Sequence, residues 1–358
     1  MKIDDKTSHN SPSLRFPEFT GEWEKCKIED ITDAVSSGKS KNHFSNGEYN
    51  LYGSTGIIGR TDKALYDGKL VLVARVGANA GFLQIINEPC GITDNTLILK
   101  PKGIDAFYLY YFLQHFNLNR LIFGSGQPLI TGGMLKKVKV SLGTISEQSK
   151  IVKFLSLLDE RIATQVRLIE DLKKLRCAVS NKLFQSVKGV VIPLSGISNI
   201  VKGKQINGDF LAEVGEYYVM NGGTEPSGYY DNYNVEANTI SISEGGNSCG
   251  YVQFNRMPFW SGGHCYTIQD IVSDVETLYL YHYLKSKEDS IMKLRIGTGL
   301  PNIQKKDLAE FKVIIPAIEQ QRTISNILSL LERKTEIEGR MLISMRTEKQ
   351  YLLHQMFI

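Results

Sequence analysis

The feature that most constrains this chain of 358 residues is a stretch at positions 144–185 that contains neither glycine nor proline. Apolar residues recur in it at coiled-coil spacing, and they are Ile151, Leu155, Leu158, Ile162, Ile169, Leu172, Val179 and Leu183. Charged residues fill the other faces, so the pattern predicts one long amphipathic helix. At 1.5 Å per residue the helix would be roughly 60 Å long, too long to lie inside one small domain.

A second stretch near the C-terminus repeats the first. Residues 154–160 (FLSLLDE) match residues 327–333 (ILSLLER), which predicts another helix at about 318–357. Its apolar stripe comprises Ile324, Leu328, Leu331, Leu342, Met345 and Leu352. Because neither stripe has another evident partner, we expect the two helices to pack on each other.

The repeat extends through the rest of the chain. The matching segments are 23–39 with 191–204, 74–82 with 243–251, 107–113 with 278–284, and 124–130 with 297–303. Each half is therefore a globular unit followed by a long helix. The halves differ most at 39–68 and 205–236, which indicates one scaffold that presents two different surfaces.

Each globular unit has a mixed pattern. Short β-branched and apolar runs predict strands at 70–74, 96–99, 239–242 and 265–268. Aromatic-rich segments at 108–116 and 278–285 predict helices, and dense glycines mark tight turns. The predicted fold class is α+β, with two similar mixed α/β domains, a pair of long helices and an internal repeat.

Composition narrows the class of protein. Apolar residues make up 42% and charged residues 22%, as in ordinary globular proteins, and no apolar run is long enough to span a membrane. The polar first 17 residues lack the apolar core of a signal peptide. Five cysteines without a CxxC pair favour a reducing compartment, so we expect a cytoplasmic protein. A net charge of +4 permits nucleic-acid binding without establishing it.

Motifs of known catalytic chemistry are missing. The segment 37–40 (SGKS) resembles the end of a phosphate-binding loop, but Asp33 stands where its first glycine should be. Cys249, His264 and Cys265 lack the paired spacing of a zinc site, so buried structural cysteines are favoured. An adenine methyltransferase would need a glycine-rich cofactor turn and an Asn/Asp/Ser-Pro-Pro-aromatic loop, and neither occurs. We expect a non-catalytic chain that holds no metal and no cofactor.

Binding is the chemistry that remains. The loops 124–128 (GSGQP) and 297–301 (GTGLP) combine backbone N–H groups with little bulk, so they can approach a phosphate backbone closely. Basic residues cluster around them, namely Lys136, Lys137, Lys139, Lys293, Arg295, Lys305 and Lys306. The polar loops 52–56 and 221–224 carry residue types that can read base edges. A solvated basic face and plain hairpin turns are the alternatives at these positions.

Several motifs, taken together, resemble one family. They are LRFPEF at 14–19, GEW at 21–23, GSGQP at 124–128, EQSKI at 147–151, IEQQRTI at 318–324 and the repeated LSLL. In this order and duplication they resemble the DNA specificity subunit of type I restriction-modification enzymes, from about Leu14 to the end of the chain. One departure is Pro316, where the first copy has Gly143, which leaves the start of the second helix open.

The resemblance implies a layout. Residues 1–13 would be a flexible N-terminus, 14–143 and 188–316 two target recognition domains, and 144–187 and 317–358 long spacer helices. The helices would pack antiparallel, hold the domains apart and set the length of the unread spacer between two DNA half-sites.

The resemblance also implies partners. The chain would bind double-stranded DNA with a bipartite sequence. Two modification subunits would dock on it, carrying S-adenosylmethionine for adenine-N6 methylation. Restriction subunits, which use ATP and Mg, would join that complex.

Candidate DNA contacts follow from the polar loops and the implied role. In the first domain they are Lys39, Ser54, Thr55, Arg75, Asn79, Gln127 and Thr131. In the second they are Lys204, Asn221, Thr224, Asn247, His264, Arg295, Thr298 and Asn302. The alternative function is a coiled-coil oligomeric scaffold with two peptide- or glycan-binding domains. A self-contained methyltransferase or nuclease is disfavoured by the missing motifs.

Overall fold

The computed structural model describes residues 10–41, 46–122, 128–297, 299 and 301–358. It divides into two compact units. The first comprises Met1–Val166 and Met341–Ile358, and the second comprises Arg167–Arg340. The division therefore falls inside both long helices, so each unit contains a globular part and a segment of each helix.

The first unit is built on a four-stranded sheet, a three-stranded sheet and a two-stranded pair. Its strands are β1 (Glu24–Lys27), β2 (Thr32–Ser37), β3 (Tyr49–Gly53), β4 (Gly56–Thr61), β5 (Lys69–Ala74), β6 (Leu83–Asn87), β7 (Cys90–Ile92), β8 (Thr96–Pro101) and β9 (Lys139–Leu142). Helices α1 (Ala106–Phe116) and α2 (Gly132–Lys136) precede the long helix α3 (Ile145–Ser186). The strand orders are β2-β8-β5-β6, β4-β3-β7 and the pair β1-β9.

Strand β5 of the four-stranded sheet is covered on both of its faces. Side chains alternate between the two faces of a strand. Val71 and Val73 lie in the main core with α1, whereas Leu70 and Leu72 lie in a second cluster with Ile92. Because both faces of β5 are covered, its sequence is a continuous apolar run rather than an alternating one.

The long helices contribute to the core of the first unit. Ile151 and Leu155 of α3 are buried with Trp23 and Tyr108. The Tyr108 hydroxyl donates to the Ser141 carbonyl at 2.9 Å, and burial raises the pKa of that tyrosine.

The second unit repeats this plan. Its strands are β10 (Val190–Pro193), β11 (Asn199–Lys202), β12 (Tyr217–Met220), β13 (Tyr229–Tyr230), β14 (Thr239–Ser243), β15 (Val252–Asn255), β16 (Trp260–Ser261), β17 (Cys265–Gln269) and β18 (Lys312–Ile315). Its helices are α4 (Thr277–Ser286), α5 (Glu288–Met292), α6 (Lys305–Ala309) and α7 (Ile318–Met356). The strand orders β11-β17-β14-β15, β13-β12-β16 and β10-β18 match those of the first unit.

Strand pairing matches as well as strand order. The small sheet has one parallel pair in each unit, β3 with β7 and β12 with β16, and all other pairs are antiparallel. The predicted α+β class and internal repeat are therefore confirmed. The four predicted strands and the two aromatic-rich helices are present as well.

The starts of the two long helices are built alike. The buried Gln148 donates its amide N–H to the Gly143 carbonyl at 2.9 Å, and Gln321 donates to the Pro316 carbonyl at the same distance. The replacement of glycine by proline therefore leaves the helix start in the corresponding place.

Within each unit the segments of α3 and α7 run in opposite directions. In the first unit Asp159 pairs with Lys349 at 2.6 Å, while the earlier Leu155 shares its core with the later Met356. In the second unit Arg176 pairs with Glu332 at 3.1 Å, while the later Phe184 shares its core with the earlier Ile324.

All fourteen residues of the two apolar stripes are buried or half-buried. Four of them lie in the globular cores, namely Ile151 and Leu155 in the first unit and Ile324 and Leu328 in the second. The ends of the long helices are thus parts of the globular domains. Within the described residues, no helix has both the length and the apolar character that crossing a bilayer requires.

Candidate nucleic-acid interface

Five segments of the first unit meet at one end of its four-stranded sheet. Backbone hydrogen bonds hold them together: Gly38 N–H to Thr96 O (3.0 Å), Arg75 N–H to Asn95 O (2.9 Å), Gly77 N–H to Pro128 O (3.0 Å) and Ile130 N–H to Arg75 O (2.9 Å). The Ser54 hydroxyl also donates to the Asn95 carbonyl, at 3.3 Å. These loops are therefore fixed by the scaffold, which suits a preorganised binding surface.

Arg75 is the central cation of this loop cluster. It is half-buried, and its Nε atom is buried without a hydrogen-bond partner among the described residues. Burying such a donor is costly unless a partner satisfies it. A guanidinium matches the O6 and N7 atoms of guanine, so Arg75 has the residue type that reads this base.

The other candidates of the first unit lie on the segments of this loop cluster, next to the residues that hold it together. Lys39, Thr55 and Asn79 are exposed, and Asn79 lies in the tight turn that follows Arg75. The Thr131 hydroxyl accepts the Met134 N–H at 3.2 Å, so it caps α2. Gln127 lies outside the described residues.

The second unit carries the same frame of hydrogen bonds. They are Gly203 N–H to Cys265 O (2.9 Å), Glu244 N–H to His264 O (2.9 Å), Gly246 N–H to Pro301 O (3.0 Å) and Ile303 N–H to Glu244 O (2.8 Å). Glu244 therefore occupies the position of Arg75, and His264 occupies the position of Asn95. One backbone frame presents opposite charges in its two copies.

Glu244 organises the second loop cluster. Its Oε1 atom accepts from Lys202 Nζ at 2.5 Å and from the Tyr266 hydroxyl at 3.1 Å. Its buried Oε2 atom lies 3.6 Å from His264 Nδ1 and has no hydrogen-bond partner among the described residues. The His264 side chain is 63% exposed, so the buried carboxylate supports an exposed ring.

The remaining candidates of the second unit lie near this network. The Asn221 side-chain oxygen accepts the His264 N–H at 3.1 Å, which holds the β12 end against the His264 turn. The Lys204 carbonyl accepts from Trp260 Nε1 at 2.9 Å. Lys204, Thr224, Asn247, Arg295 and Asn302 are exposed. Thr298 lies outside the described residues.

Sequence reasoning missed Glu244 and Lys202. The match of residues 74–82 with 243–251 already placed Glu244 opposite Arg75. If each candidate in one copy had been aligned with its counterpart in the other copy, Glu244 would have been identified. Lys202 gave no such signal, because only the pairing of β11 with β17 brings it towards Glu244.

A second polar network fastens each globular part to its own helix segments. In the first unit the Tyr111 hydroxyl donates to Asp159 at 2.8 Å. In the second unit Tyr281 donates to Glu332 at 2.9 Å. Burial, together with the facing carboxylate, raises the pKa of both tyrosines, so each remains a donor.

His282 lies beside the second of these networks. Its Nε2 atom is 2.9 Å from the Ser329 hydroxyl. Burial, with Arg176 and Arg256 nearby, lowers the pKa of His282 to about 4. The ring is therefore neutral at physiological pH and serves the packing of α4 on α7.

The described part of the chain has no cluster of three or more His, Cys, Asp or Glu side chains that could hold a metal ion. Cys249 and Cys265 are buried, and their thiols donate to the carbonyls of Glu244 and Tyr266. Burial raises the pKa of Cys265 to about 11, so its thiol stays protonated.

The fold and the loop clusters define a duplicated binding protein, in which one frame carries two different recognition surfaces. The family model described as "Type I restriction modification DNA specificity domain" matches residues 20–174 and again 187–344. The chain therefore belongs to the family of type I restriction-modification DNA specificity proteins.

Individual relatives agree with this family. A type I specificity subunit of Mycoplasma genitalium is 25% identical over 359 residues, which cover 94% of each chain. One of Mycoplasma pneumoniae is 31% identical over 166 residues, 46% of this chain and 44% of the relative. The crystal structure of a type I S subunit from M. genitalium has the same fold, with a TM-score of 0.72 and 24% identity over 97% of this chain and 99% of that one.

Proposed function

We propose that this chain reads a split double-stranded DNA sequence, with one half-site for each copy of the loop cluster. The observation that carries the proposal is the shared backbone frame that presents Arg75 in one copy and Glu244 in the other. Identical frames with unlike side chains suit one docking geometry on two different base sequences.

The domain layout follows from the same reasoning. Residues 14–143 and 188–316 are the two target recognition domains, and residues 144–187 and 317–358 are the spacer helices. Two linked domains gain avidity only when the spacing of their sites fits the linker. The helices therefore set the number of unread base pairs between the half-sites.

The chain acts in the cytoplasm, as a non-catalytic subunit of a larger enzyme. Two modification subunits dock on it and carry the S-adenosylmethionine used to methylate adenine N6. Restriction subunits that use ATP and Mg complete the assembly. The names of the relatives as specificity subunits support this division of labour.

Salt dependence of DNA affinity separates this function from the scaffold alternative. We expect the affinity of the full chain for duplex DNA to fall steeply with salt, because bound phosphates release counterions. The measurement is a salt titration of binding to a fluorescent duplex. Weak DNA binding that does not depend on salt, alongside capture of peptides or glycans, would favour the scaffold.

A further inference from the structure

A small cleft in the first unit begins next to the Gly38 segment of the Arg75 loop cluster. Its volume is about 290 Å³, and its lining consists of Lys39, Ser40, Lys41, Thr61, Asp62, Lys63 and Leu65. Three of these seven residues are lysines, contributed by the chain after β2 and by the chain after β4. Of the three lysines only Lys39 was predicted from the sequence as a DNA contact, because nothing in the sequence shows that residue 63 lies beside residue 40.

The floor of the cleft is rigid. Ser40 donates its N–H to the Ile92 carbonyl at 2.9 Å, and its hydroxyl accepts the Ile92 N–H at 3.0 Å. Ser40 and Thr61 are buried, at 7% and 6% exposure. A Cβ atom at Gly91 would lie 2.8 Å from Thr61 and 3.1 Å from Ser40, so only glycine allows this close packing.

The lysines at the rim are not neutralised by the unit itself. Lys39, Lys41 and Lys63 are exposed, and none of them forms an ion pair with an acidic side chain among the described residues. Asp62 is the single acidic residue among the described residues of the lining, which therefore carry a net positive charge. Three exposed cations around a fixed polar floor suit a phosphate group.

The position of the cleft fits a DNA backbone. Strands β3 and β4 pair from Tyr49 with Thr61 at the cleft to Gly53 with Gly56 at the hairpin tip. Four residues of antiparallel strand separate the two ends by about 14 Å. That distance corresponds to about four base pairs of duplex, at 3.4 Å each. Under the proposed function the tip residues Ser54 and Thr55 contact bases, so the cleft lies about 14 Å from that contact, at a distance that suits the flanking backbone.

We propose that Lys39, Lys41 and Lys63 form a clamp for a DNA backbone phosphate beside the first half-site. This inference rests on the proposed function and assigns the three lysines a role that does not depend on sequence. The clamp holds the first domain in register on the duplex, whereas Arg75 and its neighbours read the bases.

The test compares two triple variants of the full chain. K39Q/K41Q/K63Q removes the clamp, and K25Q/K100Q/K102Q removes three exposed lysines elsewhere in the same unit. Affinity for a fluorescent duplex of unrelated sequence is measured over a salt series. Each lost phosphate contact lowers the slope of log affinity against log salt by about 0.9. Because the clamp holds one phosphate, we expect the clamp variant to lose about 0.9 of slope and the control variant to lose much less.

The outcomes are distinct. A clamp variant with the wild-type slope, or two variants with equal losses, would refute the clamp while leaving DNA recognition intact. A changed methylation motif in the clamp variant would also refute it, because phosphate contacts carry no sequence information. A wild-type chain whose DNA binding ignores salt would instead refute the proposed function.

Discussion

Arg75 and Glu244 occupy one backbone position of the repeat and bring opposite charges to it. Arginine offers paired donors to guanine, whereas a carboxylate accepts hydrogen bonds from a base or from neighbouring side chains. In the second unit Glu244 is 7% exposed and holds Lys202 and His264 at the surface. The two copies therefore use this position differently: Arg75 is itself the candidate base contact, whereas the buried Glu244 supports the exposed Lys202 and His264.

Replacing Arg75 with alanine tests base reading in the first half-site. A good bidentate contact contributes about 1–3 kcal/mol of discrimination. We expect Arg75→Ala to relax or abolish the first half-site and to leave the second intact. The measurement is the motif methylated by the complex with the modification subunit. Equal loss at both half-sites would contradict base reading and indicate damage to folding or to phosphate contacts.

Because the pKa of His282 is lowered in the folded protein, we expect the free energy of unfolding to depend on pH. The unfolded ring takes up its proton near pH 6.5, whereas the folded ring does so only near pH 4. Between these values the unfolded state binds more protons, so stability is lost as pH falls from about 6.5 towards 4. The loss approaches about 3 kcal/mol, since one pKa unit corresponds to about 1.4 kcal/mol.

The matched variant is His282→Gln, whose side chain can still meet Ser329 but does not titrate. Denaturant unfolding of both proteins from pH 7 to pH 4.5 gives the comparison. We expect the variant to lose less stability on acidification than the wild type. Parallel pH profiles would show that His282 does not contribute.

At the scale of elements, the start of α3 is fastened by a buried ion pair. Arg15 donates to both oxygens of the fully buried Glu147, at 2.6 and 2.8 Å, and this contact raises the pKa of Arg15. A Cβ atom at Gly143 would lie 2.5 Å from Glu147, so the glycine makes room for the pair. The N-terminal segment is thereby tied to the first turn of α3.

Removing only one partner of this ion pair is expected to lower the free energy of unfolding. Arg15→Ala leaves an uncompensated buried carboxylate, and such losses amount to about 3–5 kcal/mol. The free energy of unfolding of the full chain measures the effect. The double variant R15M/E147L, which removes both charges, should recover much of the loss. No recovery would show that packing of the arginine stem, and not charge, accounts for the effect.

Under the proposed function, a change in the length of the two long helices changes the number of unread base pairs between the half-sites. Removing seven residues from the middle of α3 and seven from the middle of α7 shortens each by about 10 Å and preserves the heptad stripe. At 3.4 Å per base pair, the preferred spacer should shorten by about three base pairs. Methylation mapping of the variant complex gives the spacer directly. An unchanged spacer in an active variant would refute the role of the helices as a ruler.

The long helices were predictable to within about one residue. Local sequence patterns suffice to predict these helices, because no glycine or proline interrupts 144–185 and the apolar residues keep coiled-coil spacing. The small sheet β4-β3-β7 was not predicted. Its strands are short, and one pair is parallel, which depends on contacts between residues 50–52 and 90–92. The lysine cleft depends on the same long-range pairing.

At the scale of the whole molecule, duplication is the property from which the rest follows. The duplicated fold gives two equivalent surfaces in one chain. Divergence of the loops then gives each surface different side chains. The sequence predicted the duplication and the family, since both depend on the order of motifs. The partners of Glu244 required the folded sheet.

The central claim is that the two copies read the two halves of one split DNA sequence. The direct measurement is a methylation map of a host that lacks other adenine methylation and expresses this chain with its modification subunit. We predict a bipartite motif, methylated once in each half across a fixed spacer. A continuous motif, or no methylation by a soluble complex that purifies intact, would contradict the account.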